Sequence, residues 1–159
     1  PAIAPAGREE AGALWLARQA AELDAGQRAE ILAAALATVA DPRWAELFST
    51  AALAEVPIAA TVGGEVIAGT IDRLLVGADE LVLVDFKTTR RPPRGAGQVP
   101  VAHLRQMAAY AAALDAAYPG RSIRVALLYT HAPSLIEVEA GQLAMHKPGF
   151  SAGQQSLGL

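Results

Sequence analysis

Cysteine is missing from all 159 residues. That excludes a disulfide framework, a zinc knuckle, an iron–sulfur cluster and thiol catalysis. Basic residues are in short supply too: 13 Lys+Arg against 16 Asp+Glu leave a formal charge of −3. On that balance alone a nucleic-acid-binding domain is not expected, because such domains are usually basic. No apolar run reaches the roughly 18 residues of a membrane span, and the N-terminus lacks the basic-then-apolar pattern of a signal peptide. What the chain does have is alanine, 37 residues of it, and a hydrophobic share of 53%. This much apolar material is incompatible with disorder, and the length suits one domain with a single core and a terminal arm. A soluble cytoplasmic domain is the expectation.

Between Glu9 and Val39 the chain is free of proline, and apolar residues recur at helical spacing (Leu14, Ala17, Ala21; Ile31, Leu32, Ala35, Val39). Asp24-Ala25-Gly26 interrupts the pattern, so two helices are expected, followed by a short third one that starts at Asp41-Pro42. From Leu53 the character changes. Glu55 to Val62 reads as a strand, Gly63-Gly64 as a two-residue hairpin turn, and Glu65 to Val76 as the returning strand. After a turn at 77–80, the apolar run Leu81 to Phe86 ends in polar residues, as a buried strand does where it opens into a site. A loop rich in proline, glycine and arginine follows over Thr88–Pro100, then a long helix to about Tyr118. Strands at 123–130 and 135–138 complete the pattern. The fold class is therefore α/β with a mixed sheet whose first three strands form an antiparallel meander. The expected division is 1–50 as a helical N-terminal part, 51–147 as the core, and 148–159 as a flexible tail.

Asp72 and Asp85 sit in strands whose neighbours are core-like, where a carboxylate is costly unless paired or bound to a cation. Adjacent strands would bring them side by side, and two hard oxygens at one strand end suit Mg²⁺ or Mn²⁺. Asp85 and Lys87, two apart, share a strand face. A lysine there would stabilise charge developing on a phosphate. Taken alone, Asp85 and Lys87 could equally be an ordinary same-face ion pair. In the long helix Gln106 and Tyr110, four apart, share a face, with His103 one turn earlier; Leu104, Met107, Ala108, Ala111 and Leu114 form the core stripe. From Phe86 to Leu114 there is no acidic residue, but Lys87, Arg90, Arg91, Arg94 and Arg105 supply a local +5 suited to phosphates.

Taken together, Glu55, Gly69-Thr-Ile-Asp72-Arg73, Val84-Asp85-Phe86-Lys87-Thr88 and Gln106-Met-Ala-Ala-Tyr110 resemble the PD-(D/E)XK nuclease superfamily, in particular its RecB-like nuclease domains. The segments Leu53-Ala-Glu-Val-Pro-Ile58 and Leu127-Leu-Tyr-Thr130 look most like the C-terminal nuclease domains of the AddA type, from AddAB helicase–nucleases. The absence of cysteine argues against the iron–sulfur branches of the family. The resemblance implies a restriction-endonuclease-like core and Mg²⁺-dependent hydrolysis of DNA phosphodiesters. Asp72, Asp85 and the Phe86 carbonyl would be metal ligands and Lys87 the catalytic lysine. Glu55, Gln106 and Tyr110 would be further catalytic positions, with Arg90, Arg91, Arg94 and Arg105 on the DNA. It also implies single strands fed by helicase domains of the same full-length chain, an AddB-type partner subunit, and a setting in double-strand break repair in the bacterial cytoplasm. The alternatives are a stand-alone RecB-like exonuclease and a non-catalytic DNA-binding module with this fold. RecB-like nucleases also carry a metal-ligand histidine on an upstream helix. The histidines here are His103, His131 and His146, all downstream of Glu55, so a fragment cut just after that helix is expected.

Overall fold

The computed structural model describes residues 3–149. Residues 150–159, most of the expected tail, lie outside them. Helices α1 (Arg8–Gln19) and α2 (Ala25–Ala40) form the expected pair. The break falls earlier than Asp24-Ala25-Gly26: α1 closes at Ala20, and Asp24 caps the start of α2, its carboxylate accepting from Gln27 N while the Gln27 side chain accepts from Asp24 N, a capping box that satisfies two orphan backbone donors. The third helical segment, Pro42–Phe48, is 3-10 rather than α, with Trp44 in a non-helical conformation. That kink buries Trp44, Leu47 and Phe48 together, with the Trp44 Nε1 donating to Thr38 O at 2.5 Å.

Five strands make one sheet in chain order: β1 (Ala52–Val62), β2 (Glu65–Val76), β3 (Glu80–Lys87), β4 (Ser122–Tyr129) and β5 (Ser134–Val138). β1, β2 and β3 are antiparallel, β3 and β4 parallel, β4 and β5 antiparallel. The parallel step needs a crossover, which α3 (Val101–Ala117) supplies; the short α4 (Ala140–Ala144) follows β5. The Gly63-Gly64 turn has φ of 58° and 83°, the doubly left-handed pair that a tight hairpin of this hand requires.

Alternation along β3 divides the core in two. Leu81 and Leu83 face α3, with Val125, Leu127, Leu104, Met107 and Leu114. Val84 faces the other way, with Ala126 and Leu128, onto Trp44, Leu47 and Phe48. Asp85 and Lys87 continue the α3 side of β3. The fold is thus a mixed sheet with an antiparallel meander, flanked by helices, and the polar end of β3 emerges under α3.

One irregularity prepares the site. The β1–β2 ladder skips the position where Glu55 would meet Asp72, between the pairs Ala54–Arg73 and Val56–Ile71. Glu55 has a φ of 51°, unusual for a residue with a side chain. Across this break the buried positions of β2 change parity, from Ile67 and Ile71 to Leu74. Asp72 sits at the change.

Candidate active site

The β2–β3 ladder runs only from Val76–Leu81 to Arg73–Val84, whereas β3 stays paired with β4 as far as Lys87–Tyr129. The sheet therefore splits between β2 and β3, and Asp72 stands at the fork. Its Oδ2 accepts from Phe86 N at 2.5 Å. In a strand the N–H and C=O of one residue point to the same side, so the Phe86 carbonyl also faces the fork rather than β4. Asp72 and Asp85 are close enough that the charge of Asp72 helps raise the Asp85 pKa.

Asp85 is 4% exposed. Burial pushes its carboxyl above the ordinary value of 3.8; the Lys87 ammonium opposes this through a hydrogen bond and its charge, while Asp72 adds to it. Lys87 Nζ lies 2.5 Å from Asp85 Oδ2 and donates to Gln106 Oε1 at 2.6 Å. The Gln106 amide nitrogen faces Asp85 Oδ1 at 3.5 Å and Tyr110 Oη at 3.4 Å. One amide thus reads the lysine with its oxygen and the carboxylate with its nitrogen, which fixes its orientation.

The structure brings Asp72, Asp85, Lys87, Gln106 and Tyr110 together from three elements. Tyr110 shares the Gln106 face of α3, as expected, but its ring is buried in the core and only its hydroxyl joins the network. It packs on Gly69, where an added Cβ would meet the Tyr110 hydroxyl and sit 2.7 Å from Cζ and 2.8 Å from Cε1. Glu55 is exposed on β1, at the skipped position of the ladder opposite Asp72, without a hydrogen bond or ion pair among the described residues. Arg90, Arg91, Arg94 and Arg105 are exposed and outside the network.

A second pair, His103 and Tyr129, stands beside this network. His103 Nδ1 lies 3.2 Å from Tyr129 Oη, and both Lys87 and Asp85 act on the His103 charge. The available signal was weak: Tyr129 is in register with Lys87 only once β3 and β4 are known to be parallel. A groove of about 420 Å³ opens elsewhere, between α2 and the strand ends, lined by Glu30, Ile31, Phe86, Thr88 and His131. It lies on the side of the Phe86 ring and away from the two aspartates.

The donors fit a hard divalent cation. Among the described residues no group of three or more His, Asp or Glu side chains forms a closed cage. Two carboxylates and a backbone carbonyl at an open fork are instead the partial set that Mg²⁺ accepts, with water and phosphate completing the shell. Among the same residues, no helix is long and apolar enough to cross a membrane.

Comparison with known proteins bears on the family and the fold. Among solved structures the chain is similar to "Putative exonuclease" from Eubacterium rectale, at 15% identity and a TM-score of 0.58, over 88% of this chain and 58% of that one. The chain thus spans less than two thirds of that protein's length. A second structure, SSO0001, is 15% identical with a TM-score of 0.42, over 84% of this chain and 66% of that one. A search of curated proteins finds no match. The sequence model of the PD-(D/E)XK nuclease superfamily matches residues 3–152, nearly the whole chain, and the chain belongs to that superfamily.

Proposed function

We propose that this domain hydrolyses phosphodiester bonds of DNA at the fork between β2 and β3. The observation that carries this reading is the buried Asp85–Lys87–Gln106 network beside Asp72. A buried carboxylate with a raised pKa, held against a lysine in an open cleft, is costly and has a functional rationale. Asp72, Asp85 and the Phe86 carbonyl would hold Mg²⁺ or Mn²⁺, and such an ion supplies Lewis acidity and an acidified water. The chain's own contribution is positional. Gln106 holds the Lys87 ammonium through Oε1, so that charge developing on a phosphate meets a fixed cation rather than a mobile one. The exposed Arg90, Arg91, Arg94 and Arg105 would track the strand by its phosphates.

Within this reading we favour an exonuclease of the AddA type, taking single strands from helicase domains of the same full-length chain. An AddB-type partner and a role in bacterial double-strand break repair would follow. The motif spacing and the absence of cysteine support that branch. A stand-alone exonuclease is the second reading, and the likeness to the Eubacterium rectale "Putative exonuclease", which speaks to the fold alone, is compatible with it.

Cleavage of linear and circular single-stranded DNA in Mg²⁺, by the full-length protein and its Asp85→Ala variant, tests the proposal. Linear DNA should be degraded by the wild type alone, and EDTA should stop it. Lys87→Ala should lower turnover roughly 10²–10³-fold, the usual loss when a preorganised charge donor is removed. Equal cleavage by wild type and Asp85→Ala, or binding without cleavage by both, would sink the catalytic reading. Attack on circles would replace exonuclease by endonuclease.

A further inference from the structure

His103 and Tyr129 form a pair to which the nuclease reading gives no task. Tyr129 ends β4, is fully buried, and is in register with Lys87 on the parallel β3. Register neighbours in a sheet share a face, so both side chains meet α3. A buried phenol must place its proton, and among the described residues the Tyr129 hydroxyl has His103 Nδ1 as its hydrogen-bond partner. Burial holds the Tyr129 pKa above 10.0, so the O–H is there to be donated. The imidazole is held neutral: burial, then the Lys87 charge, lower its pKa from 6.5, against the opposing pull of Asp85. A neutral imidazole has one donor and one acceptor nitrogen. With Nδ1 accepting from the phenol, the N–H belongs to Nε2. The ring is half-buried, one turn of α3 before Gln106 and within the field of Lys87 and Asp85.

Building on the nuclease reading, we propose that His103 is a neutral phosphate-binding residue whose Nε2–H donates to a non-bridging oxygen of the DNA phosphodiester beside Lys87, and that Tyr129 is the positioning residue that fixes its tautomer. An uncharged donor suits this place. A second cation would repel Lys87 and compete for the carboxylates, whereas an N–H holds a phosphate oxygen without either effect.

The test uses the intact protein and a fluorescein-labelled dT20 strand, with binding followed by anisotropy in EDTA. His103→Asn retains a polar group near Tyr129 but has no atom at the Nε2 position, and its Kd should rise about tenfold, the effect of one hydrogen bond to a charged group. His103→Gln, whose amide nitrogen reaches that position, should stay within about threefold of wild type. The slope of log Kd against log salt should be unchanged in His103→Asn, because a neutral donor releases no counterion, whereas Arg105→Ala should lose about one unit of slope. Proton–nitrogen correlation spectra should place the ring proton at Nε2 in the wild type and show mixed tautomers in Tyr129→Phe. Wild-type affinity in His103→Asn, a lost unit of salt slope in that variant, or a proton at Nδ1 would each overturn the proposal. If the wild type fails to bind dT20, the proposal falls as well. If the His103 effects hold but the wild type does not cleave in Mg²⁺, the nuclease reading fails and the phosphate contact stands.

Discussion

Gly69 and Tyr110 define each other sterically. Because an added Cβ would press on the Tyr110 ring, Gly69→Ala should push Tyr110 away and, through their contact, disturb Gln106. Urea unfolding should register a loss of about 1–3 kcal/mol, typical of overpacking, and cleavage should fall with it. Asp85 yields a pH signature. Its carboxyl has a folded pKa raised above 3.8, so its contribution to stability is fully present below 3.8 and is lost as pH rises through the folded value. In metal-free buffer, the stability difference between wild type and Asp85→Asn should therefore move against the wild type from pH 4 to pH 7. A flat difference would mean that Lys87 fully compensates the burial. Asp72, Asp85, Lys87 and Gln106 were legible in the sequence because strand parity and helical spacing are local rules. Tyr129 and His103 were not, since their meeting depends on a crossover that joins residues 26 apart. The small residue at Gly69 was legible as a motif member, but its steric purpose needed α3 in place.

At the scale of elements, the strands and helices follow from periodicity and turn chemistry, with bounds that match at β2 and shift by a few residues elsewhere, most at the end of α1. The 3-10 form of Pro42–Phe48 was not foreseeable, because it is dictated by the fit of Trp44 and Phe48 against the far face of the sheet. Nor was the skipped Glu55–Asp72 pair, which is a property of two strands at once. A glutamate at φ 51° stores strain that glycine would release. Glu55→Gly should thus stabilise the domain by about 0.5–1 kcal/mol, read as a rise in the denaturation midpoint. If the strained side chain serves the fork, the same variant should lose activity, a trade between stability and function. Unchanged activity would remove Glu55 from the set of catalytic candidates.

For the whole molecule, a net charge of −3 is an average over unlike parts. The acidic helices and the carboxylates at the fork are offset by the acid-free, basic stretch from Phe86 to Leu114, which the overall charge conceals. Binding of a cation to the folded state alone stabilises it by mass action, by about 2.7 kcal/mol at a free concentration one hundred times Kd. Mg²⁺ should therefore raise the melting temperature of the wild type by several degrees and leave Asp72→Ala and Asp85→Ala unmoved. An equal rise in all three would place the ion elsewhere. The sheet order, in turn, makes β1 an outer strand, and it carries Pro57 near its middle, exposed and paired on its inner side with Thr70. A prolyl nitrogen has no hydrogen to offer a strand arriving from outside. The outer rim beside the fork is thereby blunted against recruiting another copy of the chain, which protects against aggregation without covering the rim.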